Sequence, residues 1–155
     1  MSRVRSLGRA LPVVAGAATL ALGAGVAAAG TGTHAVTGKL TAAQEVPKPT
    51  GVARTAGGSF TATLRRGTRT TLTWKLTFTG LSGRALQAHV HLGRRGVAGP
   101  VAIALCGPCR SGATGTARIT RQVADAIENG RAYVNVHTAR NAAGEIRGQL
   151  AVKVR

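Results

Sequence analysis

The chain has 155 residues, sets 21 Lys and Arg against four Asp and Glu, and carries a net charge of +17. Four acids leave little room for paired-carboxylate catalysis, and a 3% share of Phe, Trp and Tyr leaves little for base stacking, so no nucleic-acid partner is expected. The positive excess suits an anionic surface polymer as partner. Arg54, Arg65, Arg66, Arg69, Arg84, Arg94, Arg95, Arg118 and Arg121 are dispersed, however, as a generally Arg-rich composition would leave them; an unidentified protein is the other partner expected.

The first 29 residues read as an address. Arg3, Arg5 and Arg9 precede an apolar run from Leu11 to Val26, which closes on Ala27, Ala28 and Ala29. That order of basic region, apolar core and small-residue cleavage site is a signal peptide, so the mature chain is expected to be secreted. The run is rich in Gly and Ala and marginal for the ~20 strongly apolar residues of a span, so no stable membrane span is expected after cleavage. Loss of those three arginines lowers the net charge from +17 to +14. Residues 30–37 read as a flexible leader, and 38–153 as one domain of ordinary size.

Within that domain, alternation dominates. Leu72, Trp74, Leu76 and Phe78 alternate with Thr71, Thr73, Lys75, Thr77 and Thr79, which is the period of a half-buried strand. Residues 58–64 repeat the pattern with Phe60, Ala62 and Leu64, and the charged turn 65–69 joins the two as a hairpin. Further strands are expected over 38–44, 85–92, 101–105, 114–120, 132–138 and 145–154. Val123, Ala126 and Ile127 fall at helical spacing between Thr120, a good N-cap, and Gly130, a good C′ residue. The fold class is therefore all-β, an immunoglobulin-like or Greek-key β-sandwich or barrel with one short crossover helix.

Three histidines stand out. His89 and His91 lie two apart on a strand and share a face, with Ala88, Val90 and Leu92 on the other. His137 shares its face with Tyr133 and Asn135. Were the two strands neighbours, three imidazoles would converge as ligands suited to copper or zinc. The competing reading makes each histidine a hydrogen-bonded structural residue paired with Thr138, Asn135 or Glu145. His34 falls in the leader and outside both readings.

Cys106-Gly107-Pro108-Cys109 spells a redox motif, but turn and strand residues follow it where a helix N-terminus would be needed to stabilise a thiolate. A local disulfide between Cys106 and Cys109 is the better reading in an exported chain. No phosphate loop or nucleophile elbow is present, and Glu45 with Glu145 is the carboxylate pair left for acid–base work. No catalytic activity is expected.

Four motifs name a family. They are Leu40-Thr41-Ala42-Ala43-Gln44-Glu45-Val46-Pro47; Gly80-Leu81-Ser82-Gly83 with Ala88-His89-Val90-His91-Leu92-Gly93; Tyr133-Val134-Asn135-Val136-His137-Thr138; and Gly144-Glu145-Ile146-Arg147-Gly148-Gln149-Leu150. In that order they resemble the CHRD domain, the module named after chordin and also found in exported bacterial proteins. The resemblance implies an extracellular immunoglobulin-like β-barrel or sandwich that binds or scaffolds, with no established catalysis. It also implies a polar cluster of Tyr133, Asn135, Glu145 and Arg147 beside the histidines, in which Glu145 and Arg147 orient their neighbours. More weakly, His-Val-His is similar to the copper-binding strand of Cu/Zn superoxide dismutases. That family's fourth histidine, Asp-bearing zinc loop and widely spaced disulfide partner are not recognisable here.

Overall fold

A computed structural model describes residues 31–153; the signal-peptide reading of residues 1–29 lies outside the described residues. Nine strands and one helix follow in order: β1 (Gly32–Thr41), β2 (Gly57–Arg66), β3 (Thr71–Thr79), β4 (Gln87–Leu92), β5 (Val101–Cys106), β6 (Ala113–Arg118), α1 (Arg121–Glu128), β7 (Ala132–His137), β8 (Ile146–Gln149) and β9 (Ala151–Val152). They form one antiparallel sheet in the order β5-β4-β7-β8-β1-β2-β3-β6, with β9 beside β1. Edge strands β5 and β6 approach each other without pairing, so the sheet curls into a nearly closed barrel. The all-β fold expected from the alternation is present. No helix among the described residues is long and apolar enough to cross a membrane.

The core is filled by one side of each strand. Val36 and Leu40, Phe60 and Leu64, Leu72, Trp74 and Leu76, Val90, Val134 and Val136, and Ile146 meet inside the barrel. Phe60 stacks on Trp74 with ring centroids 6.4 Å apart, an offset geometry that suits the ring quadrupoles. The crossover helix forms where its pattern predicts. Thr120 Oγ1 accepts from the Val123 amide at its start, and Ala124 and Ile127 are buried. This helix carries the chain from edge strand β6 back to β7 in the sheet interior.

Boundaries differ from expectation at both ends: residues 42–44 form a 3-10 turn rather than strand, the strand expected over 145–154 is split into β8 and β9, and the start of the domain moves. Residues 32–37, read as a flexible leader, are the first half of β1 and pair with β2 from Gly32 opposite Arg66 onward. Gly38 interrupts the apolar alternation in sequence. In the fold it faces inward between Val36 and Leu40, because a side chain there would press on Leu150. His34 consequently belongs to the sheet, with Nε2 3.6 Å from Glu128 on α1.

Candidate metal centre

Strands β4 and β7 are antiparallel neighbours, with His89 opposite Asn135 and His91 opposite Tyr133. Ala88, Val90, Val134 and Val136 enter the core from the inner face. Strand alternation therefore puts His89, His91, Tyr133, Asn135 and His137 together on the outer face. One ring nitrogen from each of the three histidines lies within 4.8 Å of the others. His89 Nδ1 is 3.1 Å from His137 Nε2, and ring centroids are 5.6 Å apart for His89–His91 and 4.9 Å for His89–His137.

Backbone carbonyls fix the tautomers. His91 Nδ1–H donates to the Gly99 carbonyl at 2.8 Å, and His137 Nδ1–H donates to the Ala142 carbonyl at 2.9 Å. A carbonyl can only accept, so Nε2 of each ring carries the lone pair. His91 Nε2 is buried and has no hydrogen-bond partner among the described residues. Burial holds the His89 and His137 imidazoles below the ordinary histidine value, and repulsion from neighbouring imidazoles adds to it; the Ala142 carbonyl works the other way at His137. Both shifts favour the neutral form that a metal requires.

A short loop roofs the cluster. Residues 93–100 fold back over β4, where the Leu92 amide donates to the Pro100 carbonyl and the Gly99 amide donates to the Tyr133 hydroxyl. Gly99 is required there, because a Cβ would lie 1.6 Å from the Leu92 carbonyl oxygen. The Tyr133 ring stacks on His91 at 8° with centroids 4.9 Å apart, and the Arg147 guanidinium carbon lies 3.4 Å from the Tyr133 ring centre. Arg147 is 1% exposed; Nη2 donates to the Arg94 carbonyl, and Nη1 has no partner among the described residues. Burial draws its guanidinium below the usual arginine value, while Tyr133 and Glu45 favour its charge.

Sequence reasoning missed Glu45 as part of this neighbourhood. It is buried, and burial pushes its carboxyl up to about 7 against the Val46 amide, the Arg147 charge and the Asn135 amide. Asn135 lies close enough to lower that value, yet Glu45 Oε2 completes no well-formed hydrogen bond. Gly144, at φ 136°, backs this pair; a Cβ there would meet Glu45 Oε2 at 2.4 Å and Asn135 Nδ2 at 2.8 Å. The four buried side-chain atoms without a partner among the described residues are Glu45 Oε2, His91 Nε2, Asn135 Oδ1 and Arg147 Nη1. His91, Asn135 and Arg147 sit on three consecutive strands, and Glu45 interacts with two of them.

Other site residues separate. Glu145 bonds to Ser82, Thr138 and Asn141, with no hydrogen bond to Tyr133, Asn135 or Arg147. The histidines likewise bond neither Thr138, Asn135 nor Glu145, so the structural pairing weighed from the sequence is not the one formed. Cys106 and Cys109 form a close pair with Cα atoms 5.2 Å apart, a separation that a disulfide spans.

No curated protein and no solved structure matches the chain. The family model for the CHRD domain matches residues 36–150, a span that holds all nine of these site residues together with Glu45, and the chain belongs to the CHRD family.

Proposed function

We propose that this protein is an exported CHRD-domain binding module whose ligand on the outer face of β4 and β7 is a copper or zinc ion held by His89, His91 and His137. The observation that carries the reading is the pair of tautomers set by Gly99 and Ala142. Metal-ligating histidines characteristically donate their second ring N–H to a carbonyl or carboxylate, which fixes ring orientation and raises ligand basicity. Here His91 and His137 both do so, and both leave Nε2 for the cluster. Tetrahedral zinc at about 2.0–2.1 Å separates its nitrogens by about 3.3 Å, so three nitrogens within 4.8 Å close on an ion through small ring movements. Three neutral imidazoles with an open fourth position also suit copper(II). The export half of the reading rests on the basic, apolar and small-residue order of residues 1–29.

Isothermal titration of copper(II) and zinc(II) into the chelator-stripped protein tests the site. The expected result is one ion per chain at sub-micromolar affinity, weakened by about 100-fold in His91→Ala and in His137→Ala. Copper(II) electron paramagnetic resonance then shows nitrogen hyperfine splitting that each substitution reduces. No saturable binding of either ion, or binding that both variants retain, overturns the metal reading and leaves the imidazoles as mutual hydrogen-bond partners.

A further inference from the structure

The opposite side of the barrel presents a different surface. Outward positions of β1, β2, β3 and β6 fall into rows across the strands. One row runs Ala35, Thr63, Thr73, Thr116; the next runs Thr37, Thr61, Lys75, Thr114. Lys39, Ser59 and Thr77 flank these rows on one side, and Arg65, Thr71 and Arg118 on the other. Thr61, Thr63, Thr73, Thr114 and Thr116 are all exposed, as are Lys39, Arg65, Lys75 and Arg118. Strand spacing and rise make the grid roughly 14 Å by 20 Å.

We infer that this hydroxyl-and-cation face binds an extended acidic polysaccharide. Three features support that occupant. The first is charge: among the described residues no Asp or Glu side chain forms an ion pair with these cations, because Glu45 and Glu145 are buried and Asp125 and Glu128, on α1, pair with Arg66. The second is preorganisation. Threonine is stiff at χ1, and the pairs Ser59–Thr77 at 2.8 Å and Thr73–Thr116 at 3.0 Å tie hydroxyls across strands. A rigid grid loses little side-chain entropy when it accepts and donates to sugar hydroxyls. The third is what the face lacks. The exposed large apolar residues Leu86, Val97 and Val101 all lie outside it, and no aromatic ring is offered for base stacking.

The test uses polygalacturonate as probe, uncharged dextran as comparator, and chelator throughout to keep it independent of the metal centre. Binding to the parent protein is expected at about 50 mM salt and to fall at least tenfold by about 200 mM, with dextran not bound. Lys75→Gln/Arg118→Gln is expected to weaken binding about tenfold, whereas the off-face pair Arg84→Gln/Arg140→Gln changes it less than about twofold. Thr63→Ala/Thr73→Ala/Thr116→Ala leaves the charge intact and is expected to weaken binding about threefold or more. Three results overturn the inference: no binding to polygalacturonate, equal loss in the two cation pairs, or unchanged affinity in the threonine variant. His137→Ala is expected to bind the polymer as the parent does, which separates this face from the metal site.

Discussion

Two glutamates are almost equally withdrawn from water, Glu145 at 0% exposure and Glu45 at 1%, and their carboxyls are pushed in opposite directions. At Glu145 desolvation is outweighed by the Ser82 amide and hydroxyl, the Thr138 hydroxyl and the Asn141 amide, which hold it below the usual carboxylate value. At Glu45 the backbone donor is the Val46 amide, Oε2 is unpartnered, and desolvation wins. Surface exposure alone therefore does not set a buried acid's charge; the depth at which it lies and the donors it meets set it together. The contrast also separates two parts of the barrel. Polar satisfaction is complete around Glu145, which ties the loop before β4 to the turn after β7. Among the described residues, the buried side-chain atoms left without a partner belong to Glu45, Asn135, Arg147 and His91, on the side of the barrel that carries the histidines.

The sharpest way to break the comparison is at Glu145. Glu145→Ala strands Ser82, Thr138 and Asn141 donors in a dry site, and is expected to destabilise the fold by about 3–5 kcal/mol in urea unfolding at neutral pH. A loss below about 1 kcal/mol would mean that these short contacts do not organise the loops. The acid side agrees in sign: a carboxyl held low in the fold contributes stability above its unfolded value, and loses it as pH falls through the folded one.

Glu45 runs the other way. Its folded value of about 7 exceeds the ordinary 4.5, so between those limits the folded state binds more protons than the unfolded one, and stability falls as pH rises. Measured against Glu45→Gln across that window, the parent is expected to lose about 1–3 kcal/mol, with the variant's curve flatter and crossing above it near neutrality. Gln keeps an acceptor for the Val46 amide and offers a donor to Asn135 Oδ1. Parallel curves for parent and variant would show that Arg147 compensates Glu45 fully.

That pair of glutamates also marks how far the sequence could be read. Strands and helix were legible because alternation in 71–79 and 58–64, and the Thr120 to Gly130 frame, are local signals. The histidine cluster was legible in part: His-x-His gives one face of one strand, but its meeting with His137 depends on β4 lying beside β7, a pairing across 48 residues. The first half of β1 was not legible, since Gly38 breaks the pattern and its justification is contact with Leu150 at the far end of the chain. Glu145 is expected in the polar cluster with Asn135 and Arg147, a place that Glu45 takes in the fold. Thr138 and Asn141 are near Glu145 in sequence, but Ser82 is 63 residues away, and the Asn135 and Arg147 side chains that face Glu45 come from β7 and β8, which no spacing rule connects to it.

The smallest expected effect tests the same rule where water supplies the donors. Asp125 on α1 has a side chain 55% exposed and shares Arg66 with Glu128. Arg66 reaches both Glu128 oxygens, through Nε at 2.8 Å and Nη2 at 2.7 Å, a two-point contact that survives without Asp125. Solvent also solvates the Asp125 carboxylate in the folded and unfolded chain alike, so little differential energy is available. Asp125→Asn is therefore expected to change unfolding stability by no more than about 0.5 kcal/mol, and less in high salt. A loss several times larger would mean that Arg66 depends on both acids to hold α1 across the barrel end, and that donors weigh on exposed carboxylates as they do on buried ones.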